Sequence, residues 1–399
     1  MANEVNLELD PRAFMGIVPE RKAAIEAAPD TPIPKDYPVN KLARELHPKV
    51  QSLIIEDVQI HGEDAKSYSL IPDNEQGTEA LAYFSAGQYI SVYLEIVGSR
   101  LYKPYSIRSS PADALKGRYV LTVKGVEGGF ASEYILNTWK KGDRITTSAP
   151  EGCFTFEPLR DPVNIVGLAG GSGITPFYSL ACAIADGTED CRLTLLYGSR
   201  KANDILLKDE FDAICSVTDK VKVVHVLSDD AETKQDCESG FITAELIKKY
   251  APEDDYALFV CGPQAMYVHI DREIEKLPIP RRRVRHELFG QINNPEACEG
   301  YPVDLAGKTF ALNVRIRSDE QQYSCASGES LLVSLERAGI AVPSRCRSGE
   351  CGFCHTRLVS GQIYIPPGED KRREADVKFN YIHPCVTFPL SDISLELSI

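Results

Sequence analysis

Four cysteines constrain this chain of 399 residues more than any other feature: Cys346, Cys351, Cys354 and Cys385. Their spacing is C-x4-C-x2-C, then 30 residues, then the fourth cysteine. A disulfide framework, a zinc site, a haem attachment and an iron–sulfur cluster compete to explain them. Zinc usually takes two C-x-x-C pairs, and only one is present. The run Cys351-Gly-Phe-Cys354-His355 spells a c-type haem motif, but that reading leaves Cys346 and Cys385 unused, and His355 reads as a surface residue beside the loop. A [2Fe–2S] cluster of the plant-type spacing uses all four as metal ligands. Glycines at 349 and 352 suit it, because cluster sulfides need backbone N–H donors close by, where side chains would block the approach.

Bulk properties narrow the setting. A chain this long exceeds one ordinary core, so two to three domains are expected. Net charge is −14, which offers nucleic acid no basic stripe. The N-terminal "MANEVNLELDPRAFMG" lacks the apolar run of a signal peptide. Pro162 to Ala185 is uncharged and long enough to suggest a membrane span, but four glycines and a proline in "GLAGGSGITP" make it a turn. The chain reads as cytoplasmic, without membrane insertion, and its twelve cysteines should then be reduced. Most of the eight scattered ones are expected to be small core fillers.

The rhythm changes along the chain. Residues 1–47 form an N-terminal extension rich in Pro, Ala and charge, with one short helix expected in "PERKAAIEAA". Residues 48–158 carry short alternating runs ("QSLIIEDVQI", "QYISVYLEIV", "RYVLTVKGV", "DRITTSAP") that predict a small antiparallel β-barrel. Residues 159–290 alternate strand and helix, from "VNIVGLAG" and "TPFYSLACAIAD" to "YALFVCG" and "PQAMYVHIDREIEKL", which predicts an α/β doubly wound parallel sheet. Residues 291–308 read as a linker. Residues 309–399 form a compact α+β unit ending in the cysteine loop.

Four stretches carry possible chemistry. In "LYKPYSIRSSP", Lys103 offers a counter-charge and Tyr105 a flat face for an aromatic ring. In "VKGVEGGFASEYI", which carries Lys124 at its second position, Gly128, Gly129 and Ser132 mark a helix start able to hold a phosphate. In "IVGLAGGSGITPF", a glycine-rich turn leaves a buried strand and opens a helix, geometry that suits a dinucleotide pyrophosphate. It departs from G-x-G-x-x-G, and no acidic residue clearly ends the next strand. In "LFVCGPQAMY", Cys261 ends a parallel strand and Gly262-Pro263 turns after it. Each stretch alone is also what plain packing produces.

Together, "KPYS", "GGFAS", "GGSGITP", "CGP" and the cysteine loop fall in an order that resembles the ferredoxin–NADP⁺ reductase-like flavoproteins, in the branch with a plant-type ferredoxin at the C-terminus. The resemblance covers about residues 50–399. It implies a flavin-binding barrel, a nicotinamide-binding domain and a β-grasp-like ferredoxin domain. By motif, it places Tyr105 and Ser106 against the isoalloxazine and Gly128, Gly129 and Ser132 on the flavin phosphate. It lays Gly170, Gly171, Gly173 and Thr175 along the nicotinamide nucleotide. It sets Cys261, followed by Gly262, near the hydride-transfer position, so that Ser106 and Cys261 are the candidate catalytic residues. Glu287 and Phe289 in "VRHELFG" match the segment that ends the reductase module. Lys103 stands where the family has arginine, keeping the charge but losing the bidentate fork. The flavin expected is FAD in preference to FMN. Ser199, Arg200 and Lys201 lie where a 2′-phosphate could bind, and the choice between NADH and NADPH stays open.

The expected function is an NAD(P)H-dependent oxidoreductase. It would pass electrons through flavin and a [2Fe–2S] cluster to a separate redox partner, an oxygenase or another metalloenzyme. A non-catalytic carrier or sensor subunit and a self-contained small-molecule reductase are the competing readings. The hydride step needs no general acid, and no catalytic triad is visible.

Overall fold

The computed structural model describes residues 11–28, 37–126, 128–229, 237–288 and 290–398. The N-terminal unit contains α1 (Pro11–Glu26), and α2 (Pro38–Leu46) follows. The helical content of this extension therefore exceeds the one short helix expected from sequence. No residue of α2 is buried.

The first sheet of the remaining unit is built from β1 (Gln51–His61), β2 (Ala65–Pro72), β3 (Tyr89–Ile96), β4 (Ser99–Ser106), β5 (Tyr119–Lys124) and β6 (Arg144–Thr147). Its order is β4-β3-β6-β1-β2-β5, antiparallel throughout. A bridge between Ile107 and Leu121 brings the two edge strands together and closes the barrel. Apolar residues on alternate positions turn inward, so Leu53, Ile55, Tyr68, Leu70, Ile90, Val92, Leu121 and Val123 form one core. Short helix α3 (Pro111–Ala114) follows β4, and α4 (Phe130–Thr138) follows β5.

The second sheet is all parallel, in the order β10-β9-β8-β7-β11-β12. Its strands are β7 (Asn164–Gly170), β8 (Arg192–Ser199), β9 (Val221–Leu227), β10 (Cys237–Ser239), β11 (Tyr256–Cys261) and β12 (Val284–Glu287). Helices α5 (Thr175–Ala185), α6 (Lys208–Val217), α7 (Ala244–Tyr250) and α8 (Gln264–Ile274) connect them. Apolar clusters lie on both faces of the sheet, as βαβ crossovers require. Phe154, just past the barrel's last strand, is buried in this second core, with its ring 5.5 Å from Phe177 and 5.0 Å from Phe259. It seals barrel to sheet. Gly87 turns at φ +97° beside it, where a Cβ would lie 2.1 Å from the Phe154 carbonyl oxygen.

The third sheet, β14-β13-β19-β15-β17, pairs β13 (Thr309–Ile316) with β14 (Asp319–Ala326) and, in parallel, with β19 (Ile393–Leu397). β15 (Thr356–Ser360) lies between β19 and β17 (Tyr381–Ile382). Helix α9 (Leu331–Arg337) buries Leu331, Leu332 and Leu335 in the core that this sheet lines, in a β-grasp-like arrangement. β16 (Ile363–Tyr364) and β18 (Phe388–Pro389) make a small separate pair, and α10 (Glu374–Lys378) precedes β17.

Residues 291–308 are packed, not free. Ile292 and Tyr301 join Tyr364 and Phe388 in a buried cluster, with the Tyr301 and Tyr364 rings edge to face. Of the eight scattered cysteines, Cys191, Cys261 and Cys325 are buried in the apolar cores and Cys182, Cys215 and Cys298 pack against them half-buried, so most are core fillers as expected; Cys153 is exposed and Cys237 is half-buried. No cysteine among the described residues is in a disulfide. Among the described residues, no helix is long and apolar enough to cross a membrane.

Replacing Phe154 with Ala should lower stability by about 3–5 kcal/mol, the usual cost of emptying a buried aromatic site. Chemical denaturation checks this; a loss under about 1 kcal/mol would mean Phe154 does not hold the two cores together.

Candidate functional site

Strand pairing brings the site residues together. Cys261 ends β11 and lies opposite Glu287 in the parallel β11–β12 register. The Glu287 carboxyl hydrogen-bonds the Ser106 side chain at the end of β4, where the barrel meets the parallel sheet. Its Oε2 is buried with no partner among the described residues. Burial holds the Glu287 carboxyl well above the usual carboxylate range, against the Ser106 hydrogen bond. Burial pushes the Cys261 thiol well up, while a hydrogen bond with Tyr267 opposes this. Cys261 is therefore a neutral thiol, not a poised nucleophile. Tyr267 organises the corner: its hydroxyl donates to the Glu287 carbonyl and accepts from the Gly262 amide at 3.2 Å.

The glycine turn after β7 packs directly on this corner. A Cβ on Gly173 would lie 2.3 Å from the Cys261 carbonyl oxygen, and one on Gly170 would lie 2.5 Å from the Met266 sulfur. These two glycines let the β7 turn and the Cys261-Gly262 turn touch. Gly171 differs: it has φ +53° and faces open space. Thr175 opens α5 and donates its hydroxyl to the Ser172 carbonyl at 3.0 Å. Ser199 ends β8 with a buried hydroxyl beside the Tyr197 phenol, and Arg200 follows it, exposed.

The barrel side shows a second grouping. Tyr105 is half-buried against the barrel core, with Tyr68 and Arg347 near its phenol. Lys103, two residues earlier on the same strand face, lies beside Arg347 and Glu336 of the C-terminal unit. Burial, and then the Arg347 charge, pull its ammonium down to about 7, with Glu336 opposing. Lys124, at the end of β5, pairs with Asp64 at 3.5 Å. Gly128 and Gly129 lead into α4. The Gly128 amide donates to the Glu133 carboxylate at 3.1 Å, while Ser132 Oγ donates to the Gly129 carbonyl at 3.2 Å and accepts from the Val126 amide. Phe289 lies outside the described residues.

The cysteine loop forms two sulfur pairs. Cys346 and Cys351 Sγ atoms are 3.2 Å apart, and Cys354 and Cys385 Sγ atoms are 3.5 Å apart. Among the described residues, no three Cys, His, Asp or Glu groups converge on one point. A mononuclear site needs such convergence, whereas two pairs suit a binuclear cluster with two thiolates on each iron. Amides point at the sulfurs: Ser348 and Cys351 donate to Cys346 Sγ at 3.5 and 3.4 Å, and Phe353 donates to Cys351 Sγ at 3.4 Å. The Cys351 hydrogen bond, helped by these amides and opposed by burial, pulls the Cys346 thiol down. Gly349 (φ +80°) would meet the Val386 methyl at 2.9 Å if it carried a Cβ, and Gly352 turns at φ +65°. The donor set and its amide shell fit a [2Fe–2S] cluster.

Sequence reasoning missed Tyr89, Glu151, Arg345 and Arg347, and left Glu287 without a role. Arg345 and Arg347 flank Cys346, which was the available signal. The link from Tyr89 to Ser106 is a cross-strand partnership that no motif records.

Three family models match in sequence order: an oxidoreductase FAD-binding domain over residues 52–156, an oxidoreductase NAD-binding domain over 168–272, and a 2Fe-2S iron-sulfur cluster binding domain over 314–390. The chain is thus an oxidoreductase of the ferredoxin-reductase type that uses flavin, NAD(P)H and a [2Fe–2S] cluster. It belongs to the ferredoxin–NADP⁺ reductase-like flavoproteins with a C-terminal plant-type [2Fe–2S] ferredoxin domain. It is 24% identical over 328 residues to the glycine betaine monooxygenase reductase subunit of Pseudomonas aeruginosa, across 79% of this chain and 88% of that protein. It is 28% identical over 361 residues to the 3-ketosteroid-9-alpha-monooxygenase ferredoxin reductase component of Mycobacterium tuberculosis, across 88% and 96%. Among solved structures, phthalate dioxygenase reductase matches with a TM-score of 0.64 and 26% identity, covering 88% of this chain and 98% of that one.

Glu287 gives a pH prediction. Its folded pKa is raised, so the folded state holds a proton that the unfolded state loses above about 4.5. Its contribution to stability is full below that pH and is lost as pH rises toward the folded pKa. The stability of Glu287→Gln relative to wild type should therefore rise with pH from 4.5 upward. Urea denaturation of both proteins across this range checks it; parallel curves would contradict the buried, protonated carboxyl.

Proposed function

We propose that this chain is the NAD(P)H-dependent reductase component of an oxygenase-type system, delivering single electrons to a separate metalloprotein. The monooxygenase reductase components that it resembles support that partner class. When bound, the nicotinamide supplies a hydride, the flavin takes it and releases electrons singly, and the cluster carries them one at a time.

The observation that carries the reading is the position of Tyr89. It is the cross-strand partner of Ser106, and its buried phenol lies within electrostatic reach of Cys351 and Cys346. One side chain thus spans the hydride-transfer corner and the cluster loop. In this reading Tyr105 and Ser106 face the isoalloxazine, and the neutral Cys261 packs beside the nicotinamide without reacting. Protonated Glu287 holds the Ser106 hydroxyl in place. Lys103, Lys124, Gly128, Gly129, Gly262 and Ser132 complete the flavin and nucleotide surroundings. Gly170, Gly171, Gly173 and Thr175 lie along the nucleotide, with Ser199 and Arg200 toward its ribose end. Phe289 closes the set. Cys346, Cys351, Cys354 and Cys385 hold the cluster. The barrel's match to FAD-binding domains favours FAD over FMN. The cysteines, free wherever described, accord with a cytoplasmic setting.

Cys351→Ala should lose iron, because a thiolate ligand is removed. Stopped-flow bleaching of the flavin by NADH should persist, and transfer to a one-electron protein acceptor should collapse. Wild-type iron content would refute the ligand assignment. Lost iron with unchanged transfer to the acceptor would refute the electron path.

A further inference from the structure

Two arginines flank Cys346, and they are wired differently. Arg347 binds Glu336 inside the C-terminal unit. Arg345 reaches across to the barrel, where its Nη2 lies 2.7 Å from Glu151 Oε1. Its guanidinium also lies 3.7 Å from the ring centre of Phe353, within the same cysteine loop.

Glu151 is tied in turn to Tyr89. Their backbones exchange both hydrogen bonds, Glu151 amide to Tyr89 carbonyl at 2.8 Å and the reverse at 2.9 Å. Gly152, at φ +103°, lets the Tyr89 ring lie where a Cβ would meet it at 2.9 Å. The chain of contacts is therefore Phe353 and Arg345 on the loop, Glu151 and Tyr89 on the barrel, and Ser106 at the hydride-transfer corner. Glu151 is mostly buried, and Arg345 is the cation that offsets this burial. Taking Arg345 away leaves a buried carboxylate uncompensated, so the contact reopens or the carboxyl takes up a proton.

We propose that Arg345 is a positioning residue for electron transfer from flavin to cluster: through Glu151 it clamps the Cys346–Cys351 side of the loop against Tyr89. The inference rests on the electron path proposed above. Arg345 touches no reacting atom. It sets the distance that one electron must cross when a ferric ion of the cluster is reduced at the flavin's expense. The Arg347 contacts with Tyr102 and Gln291 are separate, so the C-terminal unit stays docked without Arg345 and only the loop's pose relaxes.

The test is single-turnover reduction of the flavin- and cluster-loaded protein by NADH, with flavin and cluster followed separately. Arg345→Glu should leave flavin bleaching unchanged and slow cluster reduction severalfold. Adding Glu151→Arg should restore the rate; because the pair carries the wild-type net charge, hydrogen exchange of the loop, which a shift in cluster potential does not move, separates the clamp from a charge effect. Amide hydrogen exchange of residues 346–353 should speed up in the single variant and return to normal in the pair. Cluster reduction at the wild-type rate in Arg345→Glu would overturn the proposal, as would failure of the swapped pair to restore it. If Arg345→Glu loses iron, Glu151→Gln leaves the loop's own residues intact and decides the matter by the same two rates: slowed cluster reduction supports the clamp and an unchanged rate overturns it. A wild-type protein whose flavin is bleached by NADH or NADPH while its cluster is never reduced would overturn the electron path itself and this inference with it.

Discussion

The buried ion pair between Arg347 and Glu336 is the constraint on which the arrangement of this molecule depends. Nη1 and Nη2 of Arg347 lie 2.5 and 2.8 Å from the two oxygens of Glu336 on α9. Nη1 also donates to the Tyr102 carbonyl on β4 at 3.3 Å, and Nη2 to the Gln291 side chain at 2.9 Å. One guanidinium thus joins the cysteine loop, the helix beneath it, the barrel strand carrying Tyr105 and Ser106, and the segment leaving the parallel sheet. An unpaired charge there would cost several kcal/mol, so neither member can be removed alone without loss. Arg347 is also held at φ +60°, a conformation that costs a non-glycine residue about 1–3 kcal/mol and persists only where the surroundings enforce it.

From that anchor the division of labour follows. The parallel sheet presents Cys261 and the glycine turn at its carboxyl edge, where α/β sheets bind ligands. The barrel presents Ser106 and Tyr105 on the strand next to Tyr89. The loop between β14's helix and β15 holds its sulfurs in two pairs under an amide shell. Nothing in this scheme requires a charged nucleophile or a general acid at the hydride corner. The polar groups there, Cys261 and Glu287, are instead kept neutral by burial.

Much of this was legible from sequence, for physical reasons. The cysteine spacing was legible because four thiolates that are to share two irons must sit at fixed intervals along a short loop. The parallel sheet reads clearly because its buried strands are continuous apolar runs such as "NIVGLAG" and "YALFVC". β2 was missed because "AKSYSLIP" buries small polar residues such as Ser67 among its apolar ones, and β12 because "VRHE" is a short polar edge strand. The apparent linker at 291–308 packs through Ile292 and Tyr301, two residues too sparse to give a period. Arg345 was signalled only by its place beside Cys346, and Tyr89 and Glu151 could not be read at all, since their contacts join positions far apart in the chain.

The central claim is that the cluster is filled from the flavin within one molecule. The most direct measurement is rapid-freeze EPR of the anaerobic wild-type protein after mixing with substoichiometric NADH, at several protein concentrations. The account predicts that the signal of the reduced [2Fe–2S] cluster appears after flavin bleaching, at a rate independent of protein concentration. A bleached flavin with no cluster signal, or a signal whose rate rises with protein concentration, would contradict it.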